Sequence, residues 1–307
     1  MKQLRIVVFV VALLFCLTPW ASPPIALAIG VVLALTLGHP FPSRNAKATK
    51  LLLQVSVVLL GFGMNLQKVV EAGRTGILFT IVTIVGTLLL GYLLGRAMRI
   101  DRTTAHLISS GTAICGGSAI AAVGPVMQAG DEEMSVSLAT VFILNAIALF
   151  IFPMIGHHFA MTQSQFGVWA AIAIHDTSSV VGAAARYGDQ ALQIATTVKL
   201  TRALWIVPLT IGTALAFRSK SAKIAIPWFI LWFVVASVIR TYAPLPIAWD
   251  VLTKAARIGL TVTLFLIGAG LSRKSLARVG ARPLLLGVML WVVISVVSLY
   301  AVLHTLS

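Results

Sequence analysis

Charge is what this chain has least of: Asp, Glu, Lys and Arg make up 10% of its 307 residues, and only 8 are acidic. Soluble domains carry about 25% charged residues, so a chain of this composition lacks the polar surface needed to stay dissolved. No stretch resembles a soluble domain or a low-complexity linker, which leaves a single polytopic unit over 1–307. Cysteine is scarce too. Cys16 and Cys115 both lie inside apolar runs, so no disulfide framework is implied. His157-His158 has no Cys or carboxylate nearby, and neither a metal nor a cofactor is expected.

What the chain does have is apolar length. Hydrophobic residues make up 59% and the mean hydropathy is +1.01. A spanning helix needs about 20 apolar residues. Runs meeting or approaching this fall near 4–21, 23–38, 48–66, 75–97, 104–128, 134–156, 166–186, 190–217, 225–243, 252–272 and 283–305. The expectation is an all-α membrane protein of about 11 transmembrane helices. The first run has a basic start like a secretory signal, but Ala21-Ser22-Pro23-Pro24 offers no small-x-small cleavage site, so it reads as an uncleaved helix.

The net charge of +15 would point to nucleic acid in a soluble protein. In a membrane protein it reflects the excess of Lys and Arg in cytoplasmic loops, and no nucleic-acid partner is expected. With the N-terminus in the cytoplasm, 15 of the 23 basic residues fall inside, among them Arg96, Arg99 and Arg102. The triplet Asp131-Glu132-Glu133 falls outside, and an odd span count puts the C-terminus in the periplasm. The location is then a bacterial inner membrane, with the lipid bilayer as the chain's solvent.

Gly61, Gly63 and Gly73 match Gly268, Gly270 and Gly280 at a constant offset of 207 residues. The two copies are seven runs apart and so cross in opposite directions, as in the inverted repeats of many transporters. The mates extend over about 52–97 and 259–304. A looser likeness links 104–156, through Cys115-Gly116-Gly117-Ser118 and Pro153, to 166–217, through His175-Asp176-Thr177-Ser178 and Pro208. Its order is not that of two tandem halves.

Ionisable residues inside spans are costly and mark function by default. His175 and Asp176 fall near the centre of the seventh run. Lys199 and Arg202 share a face of the eighth, which Thr196 extends. Asp176 is the acid available to pair with either cation. Gly116-Gly117 would break the fifth run, letting Ser118 cap the second half, although close helix packing also uses such glycines. Asp176-Thr177-Ser178-Ser179 offers the same in the seventh. Two half-helix N-termini at mid-membrane make an anion site.

The run Ile114-Cys115-Gly116-Gly117-Ser118-Ala119-Ile120, with Ile174-His175-Asp176-Thr177 and Val198-Lys199-Leu200-Thr201-Arg202, resembles the YeiH-type inner-membrane family, described as sulfate exporters. More distantly, Gly61-Phe62-Gly63-Met64-Asn65-Leu66 is similar to the bile acid:sodium symporters, within the cation–proton antiporter and anion transporter group. That resemblance implies inverted repeats and two broken, crossing helices. The symporters' acidic second-half signature is missing here, which argues against sodium coupling.

The expected function is a secondary transporter, an exporter of a small anion such as sulfate or a sulfonate, working by alternating access. Cys115, Gly116, Gly117, Ser118, Thr177, Ser178, Lys199 and Arg202 would bind substrate, and His175 with Asp176 would carry any coupled proton. A homo-oligomer is compatible with this reading. A channel or passive exporter is the alternative. No complete catalytic constellation supports an enzyme.

Overall fold

The computed structural model describes residues 2–18, 20–64, 66–217, 228–243, 246–270 and 280–306. Of the matched glycines, Gly73 lies in a helix and Gly280 just before one; the basic residues of 218–224 and 273–278 lie outside the described residues. Every described element is a helix. They are α1 (Lys2–Phe15), α2 (Pro23–Thr36), α3 (Pro42–Gly61), α4 (Leu66–Ala97), α5 (Arg102–Ala113), α6 (Gly117–Val126) and α7 (Asp131–His158). Then follow α8 (Gln163–Ala173), α9 (Thr177–Tyr187), α10 (Asp189–Leu204), α11 (Ile206–Ala216), α12 (Trp228–Tyr242), α13 (Pro246–Gly270) and α14 (Ala281–Thr305). Five stretches are long and apolar enough to cross a membrane: Thr80–Ala97, Asp131–His158, Asp189–Ala216, Trp249–Gly270 and Ala281–Thr305. The third of these, Asp189–Ala216, takes α10 and α11 together. Their junction at Trp205 has a local cause, because Pro208 has no N–H to give the carbonyl of Leu204.

The fifth and seventh runs are interrupted where the glycines and the Asp-Thr-Ser-Ser sequence indicate, at Ile114–Gly116 and Ile174–Asp176. The consequence differs from expectation. Neither break continues a span on the far side; each turns the chain back. The Tyr187 ring, at the end of α9, stacks on Phe166 near the start of α8, with centroids 3.8 Å apart. Its hydroxyl donates to the carbonyl of Met161 at 2.7 Å. In the other pair, a Cβ on Gly111 would meet Ile120 Cδ1 at 2.9 Å, and Leu107 shares a cluster with Ile120 and Val123. The expected two broken, crossing helices are therefore two helical hairpins. Each arm is only 10–12 residues long, about 15–18 Å at 1.5 Å per residue, half of what a bilayer needs. A hydropathy window sees the same apolar length either way, and cannot register a reversal.

The reversal also moves the acidic triplet. With α6 folded back along α5, the turn into α7 lies at the end of the bundle where α5 starts, so Asp131 and Glu132 share that end with Arg102 rather than opposing it. Impermeant thiol labelling checks this. In a Cys16→Ser, Cys115→Ala background, Arg96→Cys and Glu132→Cys should label from the same side of the membrane, and Phe159→Cys with Gln190→Cys from the other. Labelling of the first two from opposite sides would restore the crossing arrangement.

Around the hairpins, α2, α3, α12 and α13 form one packed group. Its helices approach to backbone contact at glycine. A Cβ on Gly61 of α3 would lie 2.5 Å from the carbonyl oxygen of Phe233 in α12, and one on Gly268 of α13 would lie 2.4 Å from that of Leu27 in α2. Asn45, near the start of α3, donates to the carbonyl of Leu266, near the end of α13, at 2.9 Å. These two helices are thus antiparallel. The hairpins pack against the second group, α4, α7, α10–α11 and α14.

Candidate functional site

A non-helical turn in the middle of a membrane protein is tolerated only where other groups serve its backbone. The outer ends of the hairpins are capped in the ordinary way. Asp101 accepts from Thr104 N at 2.8 Å, and Thr162 with Gln165 forms a capping box at the start of α8. The inner ends are served by residues that the sequence marks as chemical candidates.

Lys199, fully buried, donates from Nζ to the carbonyls of Ile174 (2.7 Å) and Ala171 (3.3 Å) at the end of α8. Arg202, also fully buried, donates from Nη2 to the carbonyl of Ala113 (2.5 Å), the last residue of α5, and from Nη1 to Thr83 Oγ1 of α4 (2.8 Å). One turn of α10 therefore holds the C-terminal ends of both inward arms. A cation there also faces the negative end of a helix dipole, equivalent to about half a charge. The expected pairing of Asp176 with Lys199 or Arg202 is not made; among the described residues the ion pair is Arg257 with Asp189, at 2.8 Å. Asp176 instead caps its own helix, accepting from Ser178 N (3.1 Å), Ser179 N (3.2 Å) and the Ser178 hydroxyl. The physical reason is local geometry: an Asp at the N-cap reaches those amides without crossing to another helix.

The two tips meet. A Cβ on Gly116 would lie 3.5 Å from Asp176 Cβ and from the carbonyl oxygen of His175, and 3.2 Å from Val141 of α7. Gly116 has φ +63°, a conformation that a side chain disfavours, so the turn requires glycine, and a Cβ would also crowd Val141. The site thus brings together Cys115, Gly116, His175, Asp176, Thr177, Ser178, Lys199 and Arg202, all but the half-buried Asp176 being buried. Gly117 is half-buried against Phe142 and Leu138. Ser118 departs from expectation: it is exposed and α6 has no side-chain cap. Gly116 itself occupies the N-cap position, two residues before that hydroxyl.

Asn145 was not among the sequence candidates. Its Oδ1 accepts from the backbone N–H of both His175 (3.1 Å) and Asp176 (3.2 Å), tying the second tip to α7. A lone amide in the apolar run Phe142-Ile143-Leu144-Asn145-Ala146-Ile147 was its signal, and a search restricted to ionisable groups passes over it. Arg202 Nε, Asn145 Nδ2 and both ring nitrogens of His175 have no hydrogen-bond partner among the described residues. The site therefore holds surplus donors. Cys115 and Cys16 are buried free thiols, and the described residues contain no group of three metal-ligating side chains.

The family described as Conserved hypothetical protein 698 matches residues 3–287. A UPF0324 membrane protein of Bacteroides thetaiotaomicron is 58% identical over 283 residues, covering 91% of this chain and 86% of that protein. One of Porphyromonas gingivalis is 55% identical over 287 residues (92% and 87%), and one of Bdellovibrio bacteriovorus 50% over 305 (97% and 94%). No solved structure matches. With its multi-pass apolar helices and these relatives along nearly its whole length, the chain belongs to the YeiH-type UPF0324 family of membrane proteins.

Proposed function

We propose that the protein is a secondary transporter of a small anion, an oxyanion or sulfonate of the sulfate type, working by alternating access in the bacterial inner membrane. The observation that carries this reading is the pair of hairpins meeting tip to tip beside two buried cations. Re-entrant backbone at membrane depth lines substrate paths. The local charge decides the sign of the substrate. Lys199 and Arg202 contribute two positive charges and Asp176 one negative. The two arm C-termini (about −0.5 each) cancel the two N-termini (about +0.5 each). The balance is about +1, and the unpartnered groups at Arg202, Asn145 and His175 can donate to an acceptor-only ligand.

The architecture supports the same reading. At an offset of 207 residues α2, α3 and α4 fall on α12, α13 and α14, and the two glycine approaches at Gly61 and Gly268 are mutual images. The hairpin α5–α6 and the 28-residue α7 have counterparts in α8–α9 and the 28-residue stretch Asp189–Ala216. The hairpins enter from opposite ends, so all five pairs are related by inversion. We infer that the second repeat is circularly permuted, its hairpin and following helix preceding its first three helices. This accounts for the order that the looser likeness left unexplained. Counted over the described residues, nine crossings and two hairpins keep the N-terminus in the cytoplasm and the C-terminus in the periplasm. The group α2, α3, α12, α13 and the hairpin-bearing group would be the bodies that move past one another.

The test is ligand stabilisation of purified protein by sulfate, sulfite, thiosulfate, taurine and dicarboxylates, followed by proteoliposome uptake of any that bind. Binding by one class and movement against its gradient are expected; equilibration without uphill transport would make it a channel, and no binding by any anion would end the reading. For proton coupling by His175 and Asp176, Asp176→Asn is the informative variant. Asn caps as well as Asp, so the tip should persist while its charge is gone, and the pH dependence of uptake should flatten. An unchanged pH profile would move the coupling elsewhere.

A further inference from the structure

A cavity lies away from the hairpin tips. It is a groove of about 340 Å³ between α4, α5 and α11, with walls of Ile84, Leu88, Trp205 and Leu209. Near one end His106 Nε2 and Thr213 Oγ1 are 3.0 Å apart. Beyond them the Arg102 guanidinium lies 4.2 Å from the centroid of Phe217, whose ring is also 5.3 Å from that of His106. Arg96, Arg99 and Arg102 are all exposed in the α4–α5 connection. The acid of that connection, Asp101, is engaged as the cap of α5; of the acidic triplet at the same end of the bundle, which forms the first turn of α7, Glu133 accepts from the N–H of Gly130. The outer face of α11 is apolar and open, with Ile211 42% and Leu215 75% exposed. A groove open to lipid, apolar along its length, polar near its end and cationic at its rim matches one molecule in both chemistry and polarity.

We propose that this groove binds an anionic phospholipid from the leaflet facing the basic loops. One acyl chain lies between α4 and α11, and the phosphate rests beside Arg102 at the mouth. The anionic headgroup follows from the three arginines, since each basic residue near such a surface attracts anionic lipid by about 1 kcal/mol. The groove floor is α5, an arm of the first hairpin, and its α11 wall begins at Trp205, three residues after Arg202. A lipid seated there touches an arm of the first hairpin and the helix that continues from Arg202, which holds its tip.

Gly212 gives the test its handle, because it lines the groove and a Cβ there meets nothing within 4 Å. Gly212→Leu should fill the groove without disturbing the helix. Native mass spectrometry of the full chain would compare phosphatidylglycerol with phosphatidylcholine of the same acyl chains. The parent should retain phosphatidylglycerol preferentially. Gly212→Leu should lose most of that retention, and Arg102→Gln should reduce the preference about fivefold, the equivalent of one basic residue. Equal retention of the two lipids by the parent, or retention by Gly212→Leu equal to the parent's, overturns the proposal. None of these results depends on which solute the protein carries.

Discussion

Replacing Lys199 or Arg202 by Gln should weaken anion binding ten- to a hundredfold while leaving folded protein in the membrane. The magnitude follows from losing one charge-assisted contact, about 1.5–3 kcal/mol. Gln is the informative substitution because each cation also serves backbone carbonyls, Lys199 those of Ala171 and Ile174, Arg202 that of Ala113. Ala would leave those oxygens unpaired and mix a folding defect into the binding result. Gln retains a donor and removes the charge. The measurement is the affinity of whichever anion the stabilisation screen identifies, with thermal unfolding of each variant alongside. If both variants bind that anion as tightly as the parent, the two cations only hold hairpins, and the anion reading is wrong.

Asn145→Leu should be the most destabilising single change at the site. Two backbone N–H groups, of His175 and Asp176, depend on its Oδ1. A buried donor left unpaired costs about 1–3 kcal/mol, hence about 2–6 kcal/mol for the pair. Leu repeats the branched heavy-atom skeleton of Asn without its polar atoms, so the change removes the hydrogen bonds without leaving a cavity. Asn145→Asp keeps the acceptor and should retain most of the parent's stability. Thermal unfolding in detergent distinguishes the cases. A Leu variant as stable as the parent would mean that the second tip is held by Lys199 and Asp176 alone.

Much of the fold was legible because glycine at a helix contact leaves a spacing that survives in the chain. Gly61 and Gly268, which the sequence picks out, both admit another backbone within van der Waals reach. The interruptions at Gly116 and Asp176 were legible for a related reason: Gly-Gly and Asp-Thr-Ser-Ser are poor helix interiors and good helix starts. What could not be read was the direction taken after each interruption. Apolar length is the same for a broken span and for a hairpin, and the contacts that distinguish them, such as Tyr187 on Phe166, have no sequence period. Charge pairing misled in a different way. Asp176 was matched to Lys199 and Arg202 as though side chains were the only charged partners, whereas helix ends compete for all three.

The contact between Arg202 and Ala113 spans 89 residues of chain. At about 5–20 residues per second, the ribosome takes roughly 4–18 s to deliver that guanidinium after the carbonyl it serves. Through this interval the first hairpin has no partner for its inner end, and hydrocarbon will not accept such an end alone. The second hairpin waits less, since Asn145 precedes it and Lys199 follows Ile174 by 25 residues. The insertion machinery therefore meets the two hairpins as different clients: one must be sheltered until α10 has been made, the other can close almost as it emerges.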